Sequence, residues 1–244
     1  MSSKILVCGL VALLACSPRH ETGNVHAVNM TQASQKAYNG QYDYVTVHSA
    51  GSVAEDHLRQ FTALTLYRTN VLRNPQSVLF LDGYECRGRS LEQTFVEDER
   101  LVDQMKHFPD SEHLEIAHAH NTPANTQRLR ERGHQEKLKI LIVTSDYHAP
   151  RVAQTTGYYF TENMPEQIDV LGINSGRADM KVLAKEFFAR WQTWAIFKHL
   201  EKGSNPEKLT QAYDTQIYNV IDGALVKKPL LEQGRIFLRE YLRR

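Results

Sequence analysis

The chain predicts an α/β fold: a three-layer α/β/α, Rossmann-like domain with a mainly parallel sheet, followed by C-terminal helices. Three observations carry this expectation. Short apolar and β-branched runs alternate with longer stretches at helical spacing from about Tyr42 to Leu200. One run, Ile140 to Thr144, is uninterrupted, as in a strand buried on both faces of a parallel sheet. That run then breaks into Ser145, Asp146, Tyr147, His148 and Arg151, at the kind of strand end where open α/β sheets bind ligands.

Residues 1–16, MSSKILVCGLVALLAC, hold a single charge, Lys4, before an apolar stretch from Ile5 to Ala15. The stretch is too short to span a bilayer and suits a signal peptide. Leu13-Leu14-Ala15-Cys16 resembles a bacterial lipobox, in which the Cys becomes lipidated and N-terminal after cleavage. This resemblance implies a cell-envelope lipoprotein held to the membrane through Cys16. With Ser17 rather than Asp next in line, it also implies an outer-membrane location facing the periplasm. Residues 17–40 are polar and weakly periodic, and are predicted to be a flexible tether.

Residues 41–200 are predicted to form the α/β domain. Tyr42 to His48 reads as its first strand. Ser52-Val53-Ala54-Glu55 reads as a capping box, followed by Leu58, Phe61, Leu64 and Val71 at helical spacing and a stop at Asn74-Pro75. Val78 to Leu81 is a second strand. Val96 to Phe108 is a helix whose opening acids, Glu97, Asp98 and Glu99, suit the positive end of its dipole. Leu114 to Ala117 is a third strand, and Thr122-Pro123 reads as the N-cap and first turn of a helix. Ile140 to Thr144 is a fourth strand, Pro150 opens the next helix, and Ile168 to Ile173 is a fifth strand. Met180 to Leu200 is a long helix with Leu183, Phe187, Trp191, Trp194 and Phe197 as its apolar side, read as core. Residues 201–244 are predicted to be a helical extension of two or three helices, which packs on the domain or docks an envelope protein partner.

Composition narrows the function. Lys plus Arg number 29 against 28 Asp plus Glu, and cleavage would remove Lys4 alone among the ionisable side chains. A balanced chain argues against nonspecific nucleic-acid binding, which needs a net basic surface. The three Cys residues are Cys8, Cys16 and Cys86, so a lipidated Cys16 leaves no disulfide framework. Cys86 lies near Arg87 and Arg89, yet a single loop Cys is read as incidental rather than nucleophilic. The loop after the first strand, His48-Ser49-Ala50-Gly51-Ser52, lacks the GxGxxG dinucleotide fingerprint.

The strand ends carry the candidate chemistry. His148 is a candidate general acid or base, and Asp146 would orient it or activate water. Arg151 would clamp a phosphate, and Thr122 and Ser145 lie near helix N-termini, where free N–H groups favour anions. Asn121 and Asn125 would position the ligand, and Asp82 stands at the end of the second strand. Structural roles compete at each: Asp146 as a cap, Arg151 in a salt bridge, the Asn residues in turns. His118, His120, Asp146 and His148 have metal-ligand chemistry, but no HExxH or paired Cys accompanies them, so no metal site is assigned and any cofactor is left open.

Asn121-Thr122-Pro123-Ala124-Asn125, followed by the run from Leu141 to Arg151, resembles the SanA/ElyC/YdcF-like family of bacterial envelope proteins. Arg59, Glu97 and Glu99 also fit its pattern, over Tyr42 to about Ser175. His48-Ser49-Ala50-Gly51 and Asp82-Gly83-Tyr84 depart from the family's Gly-rich loops. The resemblance implies an envelope setting linked to peptidoglycan or lipid-carrier metabolism. The strand-end residues themselves, Thr122, Ser145, His148 and Arg151, point to a domain that binds or processes an anionic, phosphate-bearing small molecule, as an enzyme a hydrolase or transferase, whereas the resemblance brings a setting and no reaction. The alternatives are a nonenzymatic lipoprotein that binds a protein partner, and an S-adenosylmethionine-binding domain.

Overall fold

The computed structural model describes residues 24–48, 53–83, 114–119, 121–132, 138–160, 167–176, 179–198, 200, 205–221 and 224–242. The expected signal peptide, Cys16, the helix from Val96 to Phe108, Cys86 and His120 lie outside the described residues.

Six parallel strands form one sheet, in the order β1-β6-β5-β2-β3-β4. They are β1 (Val25–Val28), β2 (Tyr44–His48), β3 (Val78–Gly83), β4 (Leu114–His118), β5 (Lys139–Ser145) and β6 (Gln167–Ile173). The helices between them are α1 (Met30–Tyr38), α2 (Val53–Val71), α3 (Thr122–Arg132) and α4 (Ala149–Tyr159). After β6 come α5 (Met180–Phe197) and α6 (Pro206–Ile217), the hairpin β7 (Tyr218–Ile221) and β8 (Ala224–Lys227), and α7 (Leu230–Leu242). This is the three-layer α/β/α, Rossmann-like arrangement that the alternating pattern predicts.

The alternation of side chains along each strand divides two cores. Val45, Val47, Leu79, Leu81, Leu141 and Val143 pack beneath α1 and α2, with Ala33, Ala37, Leu64 and Tyr67. Phe80, Ile140, Ile142, Ile168 and Val170 face the other way, beneath α3 to α6, with Leu129, Val152, Tyr159, Phe197 and Leu209. The central strands are buried on both faces, which is why β5 reads as an unbroken apolar run.

Two expectations are corrected. The segment read as a tether to residue 40 forms, from Val25 on, an edge strand and a capped helix. β1 pairs along β6, and α1 opens on a capping box in which Asn29 and Gln32 serve each other's backbone amides. Gly40 ends this unit at φ +66°, where a Cβ would stand 2.6 Å from that of Arg73, so only Gly fits. The C-terminal region is not all helix, since the β7–β8 hairpin separates α6 from α7. Leu209, Tyr213 and Ile217 of α6 belong to the domain core, so the extension completes the domain. Among the described residues, no helix is long and apolar enough to cross a membrane.

Candidate functional site

β2 and β5 lie side by side, but the chain leaves them in opposite directions: from β2 through α2 to β3, and from β5 through α4 to β6. This reversal opens a crevice at the carboxyl ends of the two strands, where ligands of open α/β sheets bind. His48 ends β2 and Ser145 ends β5. Gly172 on β6 lets the turn after β5 settle close by, since a Cβ there would stand 2.8 Å from the Cα of Asp146.

The first network is built on Arg59, whose side chain is among the largest fully buried ones. Its guanidinium donates to Ser145 Oγ at 2.8 and 3.1 Å and to the His48 carbonyl at 2.7 Å, tying α2 to the ends of both strands. Ser145 Oγ in turn donates to Glu55 at 2.9 Å, and Tyr147 Oη donates to the same Glu55 oxygen at 2.5 Å. Burial alone would raise the Glu55 carboxyl, but the hydrogen bonds from Tyr147 and Ser145 and the charge of Arg59 hold it below its usual range. Burial and the bond to Glu55 push the Tyr147 phenol up to about 12.

The second network is built on His148, which occupies the N-cap position of α4 and is 6% exposed. Its Nδ1 lies 3.1 Å from Glu186 Oε2 on α5, and its Nε2 lies 3.4 Å from Thr122 Oγ1 at the start of α3. Arg151, one turn along α4, grips Glu186 with Nε at 2.9 Å from Oε2 and a terminal nitrogen at 3.1 Å from Oε1. Burial alone would raise the Glu186 carboxyl, but Arg151 holds it far below the carboxylate range. Burial and the charge of Arg151 bring His148 down to about 4, so its imidazole is neutral at neutral pH.

These states fix the tautomer. An ionised carboxylate only accepts, so Glu186 requires the proton on His148 Nδ1. The Arg151 nitrogen lying 3.0 Å from Nδ1 donates instead to Glu186 Oε1. His148 Nε2 therefore carries the lone pair, directed at Thr122.

His48 stands apart from both networks. The residue is 1% exposed, and among the described residues neither ring nitrogen has a hydrogen-bond partner. Burial, then the charges of His148, Arg59 and Arg151, hold it well below its usual pKa. A neutral, fully buried imidazole with an idle donor and acceptor is costly unless something pairs with it. Asn125 Oδ1, on the first turn of α3, is likewise buried without a partner among the described residues.

The structure sorts the residues that the sequence nominates. It brings Thr122, His148 and Arg151 together, and holds Ser145 in the adjoining network. Ser145 is fully used in seating Arg59 and Glu55. Asn121, rather than Thr122, caps α3, its oxygen accepting from the Ala124 amide at 2.8 Å. The Asn121 amide donates to Asp214 of α6 at 2.8 Å, which fastens the C-terminal region to the site. Asp146 does not orient His148. Its carboxylate is exposed and accepts from the Tyr147 amide, while Glu186 touches the ring. Asp82 pairs in register with His48 across β2 and β3. Arg151 is occupied by Glu186, and the buried Tyr213 hydroxyl interacts with its charge. Among the described residues, no three His, Cys, Asp or Glu side chains converge as metal ligands.

Sequence reasoning missed the roles of Glu55, Glu186, Tyr147 and Tyr213. Glu55 and Arg59, four residues apart on one helix face, were a readable signal; Glu186 and Tyr213 carried none, because only folding brings α5 and α6 over α4. No protein-family profile, curated protein or solved structure matches the chain.

Proposed function

We propose that this domain binds and processes an anionic, phosphate-bearing small molecule at the β2–β5 crevice. We further propose that it does so as an envelope lipoprotein of the SanA/ElyC/YdcF-like type, anchored through Cys16. The observation that carries the reading is His48, a buried imidazole at the topological switch point with both nitrogens idle among the described residues, near the charges of Arg59, Arg151 and His148. A neutral imidazole offers one N–H to an anionic oxygen, and the guanidinium charges nearby favour that anion over a cation. His148 adds a neutral base whose lone pair faces the same region.

The test is a thermal-shift and calorimetric comparison of wild type with His48→Ala and His148→Ala. The panel holds inorganic phosphate, a polyprenyl-phosphate head-group analogue and S-adenosylmethionine. Phosphate or the head-group analogue should stabilise wild type, and His48→Ala should lose the effect. Stabilisation by S-adenosylmethionine alone would move the reading to that cofactor. A folded wild type that responds to none would leave a partner-binding lipoprotein.

A further inference from the structure

Thr122, His148 and Glu186 form a directed chain that the anion site alone does not require. Thr122 is fixed at the head of an eleven-residue helix, with Pro123 setting the first turn and Asn121 capping it. His148 Nε2, at 3.4 Å, is the one side-chain partner of its hydroxyl among the described residues. The His148 Nδ1–H points to Glu186 at 3.1 Å, and Arg151 keeps that carboxylate in place with two further contacts. Each link has one direction: hydroxyl to imidazole, imidazole to carboxylate. This is the geometry of a nucleophile, its base and the group that orients the base, and a long first link is ordinary in an unliganded site.

We propose that Thr122 is a nucleophile for hydrolysis of a phosphate ester, with His148 as its general base and Glu186 as the positioning residue. The proposal rests on the reading of the crevice as a phosphate site. Thr122 Oγ1 forms a bond to phosphorus, its proton passes to His148 Nε2, and the phosphorus–oxygen bond to the leaving group breaks. The leaving oxygen takes the proton from Nε2, which frees the alcohol product. Water then attacks the phosphothreonine and gives a proton to Nε2. The phosphorus–Oγ1 bond breaks, Thr122 regains that proton, and phosphate leaves. The sum is ester plus water giving alcohol plus phosphate. His48 supplies an N–H to a phosphoryl oxygen in the same buried region.

The experiment uses full-length protein in detergent with p-nitrophenyl phosphate as probe. p-Nitrophenol release is followed across pH, and acid-quenched samples are mapped by peptide mass. Inorganic phosphate binding is measured by calorimetry on every variant, which also reports that the variant is folded. Wild type should turn over and show a phosphoryl group on Thr122. Thr122→Val should fall about a hundredfold or more, while Thr122→Ser keeps turnover. Glu186→Gln should lower kcat about a hundredfold with KM little changed. It should also move the acid limb of the pH profile lower, because the carboxylate raises the His148 pKa against Arg151 and Arg59. Among the described residues, His48 also faces that ring.

Turnover of Thr122→Val at the wild-type rate would overturn the proposal and leave the phosphate site standing. Phosphate binding by wild type with no p-nitrophenol release would do the same. Failure of wild type to bind inorganic phosphate would remove the site reading itself, and the proposal with it.

Discussion

His148 makes the fold sensitive to mild acid, by an amount that the structure sets. Its imidazole titrates near the usual 6.5 in the unfolded chain and at about 4 in the folded one, because burial and Arg151 disfavour its charge. Between those values the unfolded state binds a proton that the folded state refuses, so stability is lost as pH falls through the window. At about 1.36 kcal/mol per pKa unit the full gap is about 3 kcal/mol, and about 2 kcal/mol of it falls between pH 7 and pH 5. The side chain is 7% exposed, so solvent screening takes little from this figure. The assay is urea unfolding of wild type and His148→Gln at both pH values, followed by circular dichroism. Gln can still donate to Glu186 but does not titrate. The expected result is a loss between pH 7 and pH 5 that is smaller in His148→Gln by about 2 kcal/mol, whatever the offset at pH 7. His48 is shifted the same way and adds to the slope of both proteins. Equal pH dependence in the two would refute the placement of a neutral, buried imidazole at this position.

Three other outcomes follow from the packing. Gly172→Ala should destabilise by about 1–3 kcal/mol and weaken phosphate binding, since its Cβ would press on the turn that carries His148; thermal melts and calorimetry check both. Asp169 is fully buried and bonded to Tyr42 Oη and Lys36 Nζ, each at 2.7 Å, and to Gln167. Asp169→Ala should therefore lose about 2–4 kcal/mol in urea unfolding without changing phosphate affinity. Tyr213→Phe, which removes a buried hydroxyl that interacts with the Arg151 charge, should lose about 1 kcal/mol, with no change in far-ultraviolet circular dichroism.

The strand ends of the site were legible because buried parallel strands announce themselves as apolar runs and stop at polar residues. Ser145, His148 and Arg151 follow directly from the end of β5, and Pro150 marks the helix behind them. The edge elements were not legible. β1 is four residues long with one of them buried, and α1 buries two alanines, so neither shows an apolar stripe. The hairpin was readable in principle, since Tyr218–Ile221 and Ala224–Lys227 flank Asp222 and Gly223, a strong two-residue turn signal.

The sequence by itself determined that this chain builds a parallel sheet covered by helices, and that acid–base and guanidinium groups gather where β5 ends. Periodicity decides both, and periodicity is local. Only the tertiary structure decided which charge answers which. Asp146, two residues from His148, turns to solvent, while Glu186, far along the chain, holds the ring. Arg59 is spent on Ser145 and the His48 carbonyl, while the His48 ring nitrogens are left without a partner among the described residues. The reason is physical: a buried charge must find its counter-charge in space, and the order of strands in the sheet sets which helices meet above it.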